Sequence, residues 1–205
     1  MTKTQVQTNI DGSHATITFV TEEGLNVLST DGLYALGAAI AKVRKDPLVR
    51  ITVLQAKGKV FVAGADIKEM SGFKPDQAHE YATLGQSVMN DLASLPSITI
   101  AAMQGAALGG GLEVALACDF RVAVKSAKLG LPEVTLGLIP GWGGVVRLTQ
   151  LIGSARAKRM YLSANPVSGE DALGVGLVDE IVNSPEDMSS RIAAFCKSFQ
   201  RASPA

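Results

Sequence analysis

The stretch ITIAAMQGAALGGGLEVALACDF, Ile98 to Phe120, restricts the fold more than any other part of the chain. A strand-like run, Ile98 to Gln104, enters a glycine cluster, Gly105 to Gly111, and then a helical pattern that is apolar except for Glu113. A strand that turns through glycines into a helix is a building step of a layered α/β domain, whose crossovers return the chain to a sheet. Free backbone N–H groups collect at the start of such a helix, where they suit an anion or a developing oxyanion. Glu113 lies just inside that start. An ionised carboxylate among apolar neighbours is costly unless something pairs with it or needs it.

The rest of the chain fits this rhythm. Val6 to Ile10 and Ala15 to Val20 alternate about Asp11-Gly12 and predict a hairpin. Ser29 and Thr30 offer N-caps for a helix through Leu33, Leu36, Ala39, Ile40 and Val43, stopped by Asp46-Pro47. Val49 to Gln55 predicts a strand, followed by the glycine-bearing loop KGKVFVAGADIKEM, whose end is ready to turn helical. A helix is expected from about Pro75 to Ser94. Downstream come a strand at Phe120 to Val124, short helices at Arg147 to Ile152 and Ala155 to Leu162, and a strand at Val178 to Val182. A last helix runs from Pro185 to roughly Phe199. Without a low-complexity linker or a repeat, the 205 residues are expected to form one domain, 1–205, with 185–205 the start of a C-terminal helical region.

Composition excludes several functions. A formal net charge of zero and the absence of long basic clusters argue against a nucleic-acid partner. Two cysteines argue against a disulfide framework, and two separated histidines, His14 and His79, lack ligand-like partners, so no metal is expected. The N-terminus has neither a signal peptide's apolar core nor a transit peptide's arginines, and no window is apolar enough to span a bilayer. A soluble, cytoplasmic protein is therefore expected. The glycine cluster lacks the lysine and Ser/Thr of a P-loop and the G-x-G-x-x-G spacing, and no G-x-S-x-G occurs. Taken alone, the triplet could serve only close packing. Glu113 could be a first-turn glutamate favoured by the helix dipole, and Glu133 a surface residue after a proline turn.

The segments VFVAGADIKEM (Val60 to Met70), ITIAAMQGAALGGGLEVALACDFRVA (Ile98 to Ala123) and LGLPEVTLGLIPGWGGVVRL (Leu129 to Leu148) together resemble the crotonase superfamily, specifically enoyl-CoA hydratases. The resemblance continues to GEDALGVGLVDEIV (Gly169 to Val182). It implies an α/β crotonase-like spiral core of repeated ββα units. It further implies a homo-oligomer, trimeric or hexameric in the family, but the C-terminal trimerisation helices are expected to be missing from this short chain, which would put that assembly in doubt and leave the helical face Ile192, Ala193, Phe195 and Phe199 without its usual cover.

For the site, the resemblance implies an oxyanion hole from the N–H groups of Ala65 and Gly110, and Glu113 and Glu133 as catalytic residues. Ala63, Ala65, Asp66, Ile67 and Lys68 would lie along the adenine and pantetheine of coenzyme A, with Gly110, Pro132, Gly141 and Trp142 also at the substrate. Trp142 would either set the size of the acyl pocket or pack the core. The implied partner is an acyl-CoA thioester, with no cofactor beyond the coenzyme A of the substrate itself. Hydration of a trans-2-enoyl-CoA is the leading expectation. A Δ3,Δ2-enoyl-CoA isomerase and a non-catalytic, RNA-binding member of the superfamily are the alternatives.

Overall fold

The computed structural model describes residues 3–199. Its first unit is the expected hairpin, β1 (Gln5–Asp11) antiparallel to β2 (His14–Val20), followed by helix α1 (Thr30–Arg44). Ser29 caps α1 by accepting from the Gly32 N–H at 3.2 Å, a contact typically worth about 1 kcal/mol. The apolar stripe Leu33, Leu36, Ile40 and Val43 is buried, as its spacing demands.

Three further units repeat the pattern. They comprise β3 (Ile51–Ala56), β4 (Val60–Val62), the one-turn α2 (Ile67–Met70) and α3 (Pro75–Ala93); β5 (Ile98–Met103), β6 (Ala106–Leu108) and α4 (Gly110–Leu116); then β7 (Phe120–Val124), β8 (Lys128–Gly130), a 3-10 turn (Glu133–Leu136), α5 (Gly144–Ile152) and α6 (Ser154–Ser163). The described chain closes with β9 (Val167–Ser168), α7 (Gly169–Gly174), β10 (Glu180–Val182), a 3-10 turn (Pro185–Asp187) and α8 (Met188–Lys197).

In each of these three further units the first strand joins one sheet and the second joins another, whereas both strands of the hairpin lie in the first sheet. The large sheet has the order β1-β2-β3-β5-β7-β10 and is parallel beyond the hairpin; the small sheet is β4-β6-β8-β9, with β4, β6 and β8 parallel and β9 antiparallel. This is the spiral of ββα units expected above. Strands β5 and β7 are buried almost throughout, which explains their near-continuous apolar sequences.

A buried arginine anchors the far end of α4. Arg121 in β7 is only 3% exposed, and its guanidinium donates to the carbonyls of Cys118, Asp119 and Leu177 and to the Asp179 carboxylate. Those bonds satisfy carbonyls that follow the end of α4 and fasten them to the segment before β10.

Several elements differ from expectation for identifiable reasons. The strand predicted from Val178 begins at Glu180, because the N–H groups of Leu177 and Val178 turn back to the Ala172 carbonyl in α7. The helix predicted from Arg147 begins at Gly144. The last helix ends at Lys197, and residues 200–205 of the expected C-terminal region lie outside the described residues. Its apolar face is partly covered rather than bare: Phe195 and Phe199 pack on Phe120 with ring centroids 5.3 and 5.1 Å away. Ala193 alone of that set is exposed, with Ile192 half-buried.

Candidate functional site

The three parallel strands of the small sheet end side by side. Ala107 pairs with Leu129 and Leu108 with Gly130, while β4 pairs with β6 on the other side. The segments leaving these carboxyl ends are residues 63–66 after β4, the start of α4 after β6, and residues 131–133 after β8. Ligands of open α/β sheets commonly sit beyond such ends. Thus Ala63, Ala65 and Asp66, then Gly110, then Pro132 and Glu133 are gathered from three separate stretches of sequence.

Gly109 makes the turn into α4 with φ 51° and ψ −127°, a conformation that side-chain-bearing residues rarely adopt. Its own N–H donates to the Gly130 carbonyl at 2.9 Å, tying the turn to β8. The next two glycines do serve close packing. A Cβ on Gly110 would stand 2.2 Å from the Trp142 ring, and one on Gly111 would stand 2.0 Å from the Val62 carbonyl oxygen. Packing and a donor role are compatible here: Gly110 is the first residue of α4, so its N–H has no partner within the helix.

The loop after β4 comes close to that N–H; a Cβ built on Gly64 would lie 3.9 Å from the Gly110 nitrogen. Leu28 holds the loop on both sides, its N–H donating to the Gly64 carbonyl at 2.8 Å and its carbonyl accepting from the Asp66 N–H at 3.0 Å. Among the described residues, this pattern leaves the intervening Ala65 N–H without an acceptor. Tyr81 of α3 reinforces it by donating its hydroxyl to the same Leu28 carbonyl at 2.6 Å. Asp66 turns its carboxylate onto the N–H groups of Lys68 and Glu69 and so caps α2, while Ile67 and Lys68 are exposed.

Glu113 is 2% exposed. Its carboxylate is held by a different helix from its own. Oε1 accepts from the Trp142 N–H at 2.7 Å and from the Gly144 N–H at 2.8 Å, the latter at the first turn of α5. Oε2 accepts no hydrogen bond among the described residues. Burial pushes this carboxyl from an ordinary 4.5 up to about 7; the two N–H groups and Arg147 oppose the rise, and the neighbouring Glu133 carboxylate adds to it.

Glu133 opens the 3-10 turn after β8 and is half-buried. Its Oε1 lies 3.1 Å from where a Cβ on Gly109 would be, so it stands beside the start of α4. Its Oε2 is buried and without a hydrogen-bond partner among the described residues, and burial raises its carboxyl above the ordinary range. Glu113 lies one turn along α4 from Gly109, the residue that Glu133 stands beside, so the two carboxylates share one locality and their charges oppose each other.

Trp142 is 4% exposed and resolves toward the core side of its two expected roles. Its ring fills the gap between Gly110 of α4 and Gly85 of α3 and meets Tyr81 edge-on at 5.5 Å. It therefore forms a wall behind the helix start, while its backbone grips Glu113. Gly141 is tied to α3 through the Gln86 side chain, which donates to its carbonyl at 2.8 Å.

Sequence reasoning missed the grip of residues 142 and 144 on Glu113, and with it Arg147, Gln86 and Tyr81. The glycines before α5 were the available signal, since they expose a second helix start. Among the described residues, no three His, Cys, Asp or Glu side chains cluster as metal ligands, and no helix is long and apolar enough to cross a membrane. Two open grooves of about 380 and 400 Å³ lie beside α8, one lined by Asn183 and Arg191 and the other by His14 and Gln55; neither includes a glutamate of the site.

Comparison with known proteins adds independent support. Residues 9–205 match the family model described as Enoyl-CoA hydratase/isomerase. A crotonyl-CoA hydratase of Syntrophomonas wolfei is 40% identical over 81% of this chain, and a probable enoyl-CoA hydratase of Bacillus subtilis is 40% identical over 87%. The chain spans 64% and 70% of their respective lengths. The crystal structure of an enoyl-CoA hydratase from Bacillus anthracis superposes with a TM-score of 0.92 at 34% identity, covering 98% of this chain and 78% of that one.

Proposed function

Because the chain belongs to the enoyl-CoA hydratase/isomerase family, we propose that it hydrates a trans-2-enoyl-CoA thioester to the 3-hydroxyacyl-CoA. The pairing of Glu113 and Glu133 beside the start of α4 is the observation that carries this assignment. The thioester carbonyl oxygen sits between the N–H groups of Ala65 and Gly110. As water adds at C3, charge moves onto that oxygen, where preorganised donors and the positive end of α4 stabilise it; one such donor is typically worth about 3 kcal/mol in the barrier.

The free Oε2 of Glu113 orients the water and takes its proton. Glu133 in its protonated form delivers a proton to C2. The step runs from the form in which Glu113 is ionised and Glu133 protonated; burial raises both carboxyls, Glu113 to about 7, so protons can be redistributed within the pair and with solvent at working pH. The proton gained by Glu113 balances the one lost by Glu133, and exchange with solvent restores the starting state. No cofactor beyond the substrate's coenzyme A enters these steps. Ala63, Asp66, Ile67 and Lys68 lie along its adenine and pantetheine, and Pro132, Gly141 and Trp142 stand toward the acyl group. A cytoplasmic setting accords with the unpaired Cys118 and Cys196.

The test is the loss of enoyl absorbance on hydration of crotonyl-CoA. Glu133→Gln should lower turnover by about 10²–10⁴-fold with CoA-ester affinity little changed. Near-normal turnover in that variant would refute the assignment. Glu113→Gln should impair water addition more than any 3-enoyl to 2-enoyl isomerisation; equal losses would remove its separate role with water.

A further inference from the structure

Helix α3 and Arg147 form a brace behind Glu113 that the proposed chemistry does not use directly. Arg147 lies in α5, half-buried, with Nη1 donating to the Trp142 carbonyl at 2.9 Å and Nη2 donating to Asn90 Oδ1 of α3 at 2.7 Å. The guanidinium lies close against the loop, since a Cβ on Gly143 would stand 2.2 Å from Nη1. One turn earlier on α3, Gln86 Nε2 donates to the Gly141 carbonyl at 2.8 Å.

These contacts act on Glu113 through peptide planes. In a trans peptide the C=O and the following N–H point in opposite directions within one rigid plane. The Trp142 N–H belongs to the plane of the Gly141 carbonyl, which Gln86 holds. The Gly144 N–H belongs to the plane of the Gly143 carbonyl, which accepts from the Arg147 backbone N–H at 3.0 Å. The Trp142 carbonyl between them is fixed by the Arg147 side chain. Three successive planes are thus pinned from the α3 and α5 side, and two of their N–H groups converge on one oxygen of Glu113. That convergence occupies Oε1 and leaves Oε2 free.

We infer that Arg147, with Gln86, is a positioning residue for Glu113: it holds the 141–144 loop so that one carboxylate oxygen is gripped and the other is presented to the reacting water. The inference rests on the hydratase assignment for its kinetic consequences, but not for the geometry of Glu113. The charged groups facing Glu113 are Glu133 from the turn after β8 and Arg147 from α5; Tyr81 of α3 faces it as a neutral phenol. Removal of the Arg147 charge therefore leaves Glu133 unopposed and drives Glu113 further toward its protonated form.

The test compares Arg147→Met, Arg147→Lys and Gln86→Leu in the full chain. It uses crotonyl-CoA hydration across pH and a substrate-free carbon-13 NMR titration of the glutamate carboxyls, with Glu113 assigned by Glu113→Gln. Arg147→Met should lower kcat about ten- to a hundred-fold with KM within about twofold, as expected for a misplaced catalytic group. Its Glu113 titration and the matching limb of the pH profile should move to higher pH. Arg147→Lys keeps a charge but offers a point donor in place of a fork, so it should restore the titration while recovering only part of kcat. Gln86→Leu should lower kcat with little change in the titration, and it serves if Arg147→Met fails to fold. An unmoved titration in Arg147→Met, or undiminished kcat in Gln86→Leu, would overturn the inference. Absence of hydration by the wild-type chain would refute the hydratase assignment instead, and the NMR titration would still decide whether Arg147 governs Glu113.

Discussion

Replacing Glu113 by glutamine should stabilise the fold at alkaline pH while impairing its chemistry. The unfolded chain releases the Glu113 proton near 4.5, whereas the folded chain keeps it to about 7. Between those values the folded state binds more protons, so this residue's contribution to stability declines as pH rises through the interval. Below about 4.5 there is no penalty, and above about 7 it is fully present. The interval, at about 1.4 kcal/mol per pH unit, amounts to about 3 kcal/mol. Glutamine removes the charge and keeps a carbonyl oxygen able to accept from both Trp142 and Gly144 at the Oε1 position. The advantage of Glu113→Gln over wild type should therefore grow by about 2 kcal/mol between pH 5 and pH 8. Urea unfolding of both proteins at the two pH values measures it. A stability difference independent of pH, or a variant that loses ground at pH 8, would show that Glu113 is not held against a desolvation penalty.

Gly109→Ala forces a side chain into a positive-φ turn and brings a methyl group to 3.1 Å from Glu133 Oε1; it should cost about 1–3 kcal/mol, read by thermal unfolding, and slow crotonyl-CoA hydration disproportionately. Unchanged melting and unchanged turnover would contradict the geometry of that turn. Arg121→Leu strips donors from the Cys118 and Leu177 carbonyls and from Asp179, and should destabilise by about 3 kcal/mol in urea unfolding. Adding Asp179→Asn should recover part of that loss, and no recovery would mean that the carbonyl contacts alone matter.

Local chemistry made much of the framework legible. The Asp11-Gly12 hairpin, the Ser29-capped helix, the helix opened by Pro75 and the strand Phe120 to Val124 each follow from periodicity and punctuating residues within a few positions of one another. The small sheet was less legible. Strands β4, β6, β8 and β9 have two or three residues each, too few for a period to declare itself, and they exist because neighbouring repeats align them. Yet these are the strands whose ends carry the candidate site.

Residue pattern settles the α/β class, the strand-to-helix turn at the glycine triplet, and the presence of two glutamates in motifs resembling those of one enzyme family, whereas no repeat could be read from it and the ββα units were implied only by that resemblance. The proximity of the two glutamates could not be read from spacing, because nineteen residues and two strands lie between Glu113 and Glu133. Only the tertiary structure decided that the helix start receiving the Glu113 carboxylate would be that of α5 rather than its own, and that Trp142 would seal the wall behind it. The physical reason is that a carboxylate's protonation and aim depend on burial, on opposed N–H groups and on the nearest charges. Those come from elements far apart in the chain, which meet only when the two sheets are assembled.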